Sequence, residues 1–504
     1  MSSLRFAPKI FDDNMVLQRN GCQIYGTLAG NTDVSALQIK VFDETLQQQE
    51  VIVPTSAPGQ IVDAGTVYRD GVRVWIASFS VEQNFTHNYT IQLLENDVEI
   101  SSLTGVRFGD VFLAVGQSNM EATIRYDFTY AELRDRVLLG DFNASDVHAI
   151  TFNSDVGSGS SSRTDETQIL MDRSSASGPW NNLEDMAKNN FDGFKQLSAV
   201  ATHHALHLRY IQPDIPIGVV TSARGGSPVD EFMTRSTFDY TRDVMNIPFS
   251  RIENPTSTYY GLISPLKHMR FARVLYYQGE ANMGFPGEFM LQLENLIKGY
   301  REDFRDPDLP FTLIQIIQDG VEKAVNNKMP RGRLVPQIIR ERLDNVQVVN
   351  TVDLFEPFQK ATGCSGSPST ACCFRNGDPA ILESGSTCKA NRDMCDDAGE
   401  DDDSFTNLMD PFGTWCTSDL GVNIFSGHEV HPRLKQIIGR RSAAVHLGKL
   451  APRLESCEFD WTLMALRLRF ETYGAALQWT PTQDRETASK EFQLCEADDN
   501  VPGS

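Results

Sequence analysis

From Val111 onward, short runs of consecutive apolar residues alternate with stretches of helical periodicity, and this alternation narrows the possible folds more than any other feature of the chain. The runs are VFLAV (111–115), VHAITF (147–152), IGVVTS (217–222), VLYYQ (274–278), FTLIQII (311–317) and VQVVNTVD (346–353). A half-exposed strand alternates apolar with polar residues, whereas a run without alternation is buried on both faces. Helix-like stretches occur at 194–210, 286–304, 333–343 and 433–447. In the second of these, Phe289, Leu293, Leu296, Ile297, Tyr300 and Phe304 keep one apolar face. Together they predict an α/β fold, a parallel sheet covered by helices on both sides.

The first hundred residues have a different rhythm. CQIYGTLAG, ALQIKVFDE, VRVWIASF and YTIQLLEN are short, rich in β-branched and aromatic residues, and divided by Gly, Asn and Asp, which predicts a β-sandwich-like region. β character returns after Leu450 in ALRLRFETYGAALQW (465–479). One or two strands do not make a stable domain. Either they complete the N-terminal sandwich or the chain stops inside a C-terminal β domain. The expected organisation is an N-terminal β region over 1–105, an α/β domain over 106–450, and the start of a C-terminal β region over 451–504. VGSGSSSR (156–163) has the composition of a flexible loop, and residues 356–415 read as an irregular Cys-rich insertion.

Charge and cysteine content exclude some partners and suggest a compartment. The chain carries 45 basic and 67 acidic side chains, a net charge of −22, which repels phosphate backbones and anionic membrane surfaces. No nucleic-acid partner is expected. No apolar run approaches the roughly 20 residues of a membrane span, and MSSLRFAPKIFDD lacks the regions of a signal peptide. Six of the nine Cys (Cys364, Cys372, Cys373, Cys388, Cys395 and Cys416) are packed together without any CxxC pair, a pattern that suits disulfides better than metal. Asn84, Asn88 and Asn143 begin glycosylation sequons. These features point to a lysosomal or secreted protein, with a cytoplasmic protein carrying free thiols as the alternative. The acidic run Asp396–Asp403 lacks the ligand order of a calcium loop and reads as solvated.

Ligands of an open parallel sheet bind outside the carboxyl ends of its strands. Three motifs fall at such ends: Gly116-Gln117-Ser118-Asn119-Met120, Ala223-Arg224-Gly225-Gly226-Ser227, and Gln278-Gly279-Glu280-Ala281-Asn282. A fourth, Gly427-His428-Glu429-Val430-His431-Pro432, opens the last helix. A serine nucleophile needs a base to take its proton and donors to hold the oxyanion. His431 can be the base, Ser118 and a motif glycine can give backbone N–H groups, and Gln278 can give an amide. Taken singly each part is commonplace, because a Ser after a strand is usually a turn or cap residue. His203 and His207 have the i, i+4 spacing of a metal pair but no carboxylate motif beside them, so no metal is expected. No cofactor is expected either.

The ordered set resembles the sialate O-acetylesterases, within the SGNH hydrolase superfamily. The matching pieces are LRFAPKIFDDNMVLQ, GDVFLAVGQSNME, IPIGVVTSARGGSPVDEF, GLISPLKHMRFARVLYYQGEAN and HPRLKQIIGRR, in the family's order over roughly residues 4 to 495. The resemblance implies an SGNH-type three-layer sandwich. It makes Ser118 the nucleophile and His431 the general base. Ser118, Gly226 and Gln278 become the oxyanion donors, with Gly225 the alternative in the second block. It implies an O-acetylated sialic acid or sialoglycan as substrate, and a chain that breaks off inside a C-terminal β domain. An acetylxylan-type carbohydrate esterase, or a relative that binds carbohydrate without turning it over, is the alternative.

Three departures stand out. Many relatives carry Asp three residues before the His, where this chain has His428. Glu429 therefore orients His431 in a different geometry, or a backbone carbonyl does so. Arg224 stands where Trp often precedes the paired glycines, and could grip a sialic acid carboxylate or pair with Asp230 or Glu231. The Cys-rich insertion before the His motif is the third. Glu280 and Asn282 are further substrate-binding candidates, against a reading of Glu280 as a buried hydrogen-bonding partner that shapes the loop.

Overall fold

The computed structural model describes residues 5–7, 10–28, 33–46, 49–50, 61–67, 73–80, 84–127, 129–152, 179–246, 255–317, 328–351, 354, 434–448, 453–460 and 465–471. His428, Glu429 and His431, the insertion 356–415 with its cysteines, the loop 156–163 and the run Asp396–Asp403 lie outside them.

Six strands form the expected parallel sheet in the spatial order Val147–Phe152, Ile217–Ala223, Val98–Gly116, Arg273–Tyr277, Phe311–Ile314, Val346–Val349. Asn181–Asn182 adds an antiparallel edge beside the first of these. The central strand has no solvent exposure from Val111 to Val115, which accounts for its unbroken apolar run. Consecutive residues serve opposite helical layers. Tyr276 meets Phe232 edge-on, while Tyr277 lies beneath the Lys435 side chain on the other face. In one layer the helices Ala199–Ile211 and Lys435–His446 pack together, and in the other Arg235–Met245, Pro286–Asp303 and Lys328–Arg342 pack in series.

Local chemistry sets several helix ends. The Ser198 hydroxyl accepts from the Ala201 N–H at 3.3 Å, a side-chain cap on the Ala199–Ile211 helix. Thr234 caps Arg235–Met245, which ends at Asn246 in the left-handed region. Pro286 opens Pro286–Asp303 at a position where its missing N–H costs nothing. The two first-layer helices are in close contact at Gly439, where an added Cβ would lie 2.5 Å from the His203 Cβ.

The N-terminal region forms a four-stranded sheet, Arg5–Phe6, Cys22–Leu28, Arg73–Phe79 and Ile61–Val67, and a second antiparallel group containing Leu37–Asp43 and Tyr89–Glu95. Position 105 lies within a single strand, Val98–Gly116, whose first half pairs antiparallel with Tyr89–Glu95 and whose second half is the centre of the parallel sheet. Trp180 donates its indole N–H to the Ile10 carbonyl at 2.9 Å, seating the N-terminal segment against the α/β layer. Arg453–Asp460 and Ala465–Glu471 form an antiparallel pair. No helix among the described residues is long and apolar enough to cross a membrane.

Candidate functional site

Strand register assembles the site. Gly116 pairs with Ala223 on one side and with Tyr277 on the other, so the three strands end at one level. The residues that follow, Gln117-Ser118, Arg224-Gly225 and Gln278-Gly279, therefore emerge side by side. The approach at Gly116 is close: a Cβ there would sit 2.0 Å from the Tyr277 carbonyl oxygen. Only glycine lets the central strand pass so near its neighbour. Ser118 is the first residue of a four-residue helix, Ser118–Glu121, and is buried to 7% exposure.

Backbone bonds hold the first block to the other two. The Gln117 N–H donates to Tyr277 O at 3.1 Å and the Arg224 N–H to Gly116 O at 2.9 Å. The Ala281 N–H donates to the Gln117 side-chain oxygen at 3.3 Å. Of the paired glycines, Gly225 is the one against the serine. A Cβ on Gly225 would lie 3.8 Å from the Ser118 Cβ and 2.7 Å from a Glu121 carboxylate oxygen, whereas one on Gly226 would meet nothing within 4 Å.

Gln278 is 2% exposed, and its amide braces two blocks. Its Nε2 donates to Asn282 Oδ1 at 2.6 Å and to Ser227 O at 3.3 Å. Asn282 Oδ1 also accepts from the Val229 N–H at 3.0 Å, and Asn282 Nδ2 donates to Gln292 at 3.3 Å. Asn282 is thus the peg between the second and third blocks. Arg224 pairs with Glu231 at 3.2 Å, the loop-holding arrangement weighed against a substrate clamp. The same Glu231 oxygen accepts from Ser227 at 2.8 Å and Thr258 at 3.0 Å.

Glu280 accepts a hydrogen bond from the Asn119 side chain, and Lys435 donates to the other end of that amide. Burial pushes the Glu280 carboxyl above the usual carboxylate range, opposed by its own and the Gly279 backbone N–H groups, by Asn119 and by the Lys435 charge. Neither Asn119 nor Lys435 was singled out from the sequence, although both lie inside the matched motifs. A signal was present for Lys435, which shares the buried face of its helix with Ile438, Gly439 and Ser442 at helical spacing.

The histidines of the Ala199–Ile211 helix are otherwise engaged. His203 faces Asp127 at 2.9 Å with both side chains wholly buried, His204 Nδ1 lies 3.0 Å from the Ser442 hydroxyl, and His207 Nδ1 lies 2.8 Å from the His203 carbonyl. Burial lowers His207 to about 4 and His204 well below its ordinary value.

The chain is similar to known carbohydrate esterases. A sialate O-acetylesterase of Homo sapiens is 25% identical over 345 residues, covering 65% of this chain and 60% of that one. Another, of Pongo abelii, is 27% identical over 242 residues, covering 45% of this chain and 43% of that one. The chain thus spans about half the length of these curated relatives. A solved structure described as a novel carbohydrate acetylesterase from Xanthomonas citri superposes with a TM-score of 0.56 at 18% identity, covering 95% of this chain and 83% of that one, a likeness of fold. The family model for "Carbohydrate esterase, sialic acid-specific acetylesterase" matches residues 108–360. That match begins in the central strand and passes the last strand of the parallel sheet, taking in all three strand-end blocks, and the chain accordingly belongs to this family of carbohydrate esterases.

Proposed function

We propose that the chain is a serine-type carboxylic ester hydrolase that removes O-acetyl groups from sialic acids. The observation that carries this reading is the in-register end of three strands around Ser118, within the segment matched by the family model. The Ser118 hydroxyl attacks the acetyl carbonyl and His431 takes its proton. Collapse of the tetrahedral intermediate returns that proton to the departing sugar hydroxyl. Water, deprotonated by the same imidazole, then releases acetate from Ser118. The oxyanion is held by backbone N–H groups of Ser118 and of the Gly225-Gly226 pair, with Gln278 as the third donor. Gln278 reaches that role by exchanging its longer bond, the one to Ser227 at 3.3 Å, for the oxyanion.

Glu429 or a main-chain carbonyl orients His431. Glu280 and Asn282 support the loop beside the serine, through Asn119 and Gln278 respectively. The substrate is an O-acetylated sialic acid or sialoglycan, and the compartment is lysosomal or secreted. Exposed positions of the sequon residues Asn84 and Asn143 suit glycosylation there.

The test combines a label and two substrates. A fluorophosphonate probe should modify Ser118, and the protein should release acetate faster from an O-acetylated sialic acid than from acetylated xylan. Preference for xylan would transfer the assignment to an acetylxylan-type esterase. Absence of both labelling and turnover would make it a carbohydrate-binding relative.

A further inference from the structure

Asn119, the residue after Ser118, has no solvent exposure, and its amide is held from both ends. Lys435 donates to Oδ1, while Nδ2 donates to Glu280 Oε1. Lys435 is itself 2% exposed, with its amine 5.5 Å from the centroid of the Tyr277 ring. The second Glu280 oxygen, Oε2, is buried and has no hydrogen-bond partner among the described residues. A lysine amine and a glutamate carboxyl group are thus joined through an amide, with the amine and Oε2 withdrawn from water.

Charges are kept in an interior only when each compensates another. Here the compensation runs through Asn119, whose oxygen must face the cation and whose N–H must face the anion. The amide then has one orientation, and the helical turn beginning at Ser118 is held with it. Lys435 is also the first residue of its helix, where the helix dipole disfavours a cation. Helix formation does not account for a lysine there, whereas the Asn119 contact does.

We propose that Lys435 is a positioning residue for Ser118, acting through the Asn119 side chain with Glu280 as its counter-charge. The proposal rests on Ser118 being the nucleophile, as argued above. It requires Asn119, Glu280 and Lys435, which lie far apart in sequence, to behave as one energetic unit.

Lys435→Met, Glu280→Gln and the double variant test it, with competent sites counted by fluorophosphonate titration so that rates refer to folded, labelled protein. Lys435→Met should lower kcat per titrated site by roughly tenfold or more while KM changes by less than about threefold. The double variant should be no slower than the slower single variant, because neutralising both ends leaves no stranded charge. Losses that multiply, or a Lys435→Met rate per site within about twofold of wild type, would overturn the proposal. Should Lys435→Met fail to fold, recovery of folding in the double variant supports the unit and continued failure overturns it. If the probe does not label Ser118 in the wild-type protein, the serine reading is what fails. Melting temperatures of the same four proteins then decide the unit: non-additive shifts support it, and additive shifts overturn it.

Discussion

The carboxyl ends of the parallel strands and the interface between the Ala199–Ile211 and Lys435–His446 helices both bury polar side chains, and they accommodate them differently. At the strand ends, polar groups find partners from other elements: Lys435 to Asn119 to Glu280, and Gln278 to Asn282 to Gln292. At the helix interface imidazoles lie against the Phe112 ring, buried His204 with centroids at 4.5 Å and half-buried His446 at 4.9 Å, and His204 Nδ1 meets the Ser442 hydroxyl at 3.0 Å. Burial strips their charge, lowering His446 to about 4 and His204 further. One helix, Lys435–His446, takes part in both regions. Its Lys435 end meets a counter-charge, and its His446 end lies among aromatic rings and neighbouring positive charge. The interior thus joins Lys435 to a carboxyl through an amide at the strand ends, and holds His204 and His446 towards their neutral form at the helix interface.

The comparison breaks most sharply at Ser118. Ser118→Ala should abolish acetyl release, by on the order of 10³-fold or more, with an unchanged melting temperature. Retention of more than roughly a tenth of wild-type activity would place the nucleophile elsewhere and make the strand-end region a structural one.

Gly439→Ala probes the other region. A Cβ there would sit 2.5 Å from the His203 Cβ and 2.8 Å from both the His204 nitrogen and the Val200 oxygen, so the helices must separate. The helix-propensity gain of about 1 kcal/mol is smaller than the overpacking cost, and a net loss of about 1–2 kcal/mol in urea unfolding is expected, with activity per labelled serine preserved. An unchanged urea midpoint would show that the interface is looser than its geometry.

Acid should act on the depressed histidines, both at the helix interface and beyond it. His207, His446 and the strand residue His148 are lowered to about 4, His268 to about 3 and His204 well below its ordinary value, so the folded chain stays neutral at these groups while the unfolded chain takes up protons below about 6.5. Stability should therefore fall as pH drops from about 6.5 towards 4, at about 1.4 kcal/mol per pH unit for each such histidine. His204→Leu should flatten that slope by about one proton in urea titrations across this range. An unaltered slope would mean that His204 accepts its proton without unfolding.

The smallest effect is expected at Arg224. Its pair with Glu231 is partly exposed, and Arg224→Met should cost less than about 1 kcal/mol, equally in kcat/KM for an O-acetylated sialic acid and for a neutral acetyl ester. A loss of more than roughly tenfold confined to the sialic acid would restore the carboxylate clamp and give the strand-end region a substrate-facing charge.

Much of this architecture is legible in the chain. Unalternated runs such as VFLAV and VLYY mark strands buried on both faces, because a residue's own burial leaves its imprint at its own position. The strand-end blocks are equally visible, since Gly116 and the Gly225-Gly226 pair are tied to local backbone crowding and turns. The last strands are shorter than their apolar runs: FTLIQII pairs only over Phe311–Ile314, and VQVVNTVD only over Val346–Val349. In the first of these, apolar character continues at Ile316 and Ile317, past the last ladder partner at Ile314.

Partner choice is not written in that way. Nothing in GQSNM, QGEAN and HPRLK says that Asn119 will lie between Glu280 and Lys435, or that the Gln278 amide will point at Asn282. Those contacts depend on Gly116 being level with Ala223 and Tyr277. A one-residue slip in that register would send every side chain of a strand to the opposite layer and take the three blocks apart. Apolar patterning specifies which faces are buried; packing across the sheet decides which buried polar groups meet, because their hydrogen bonds act only over about 3 Å.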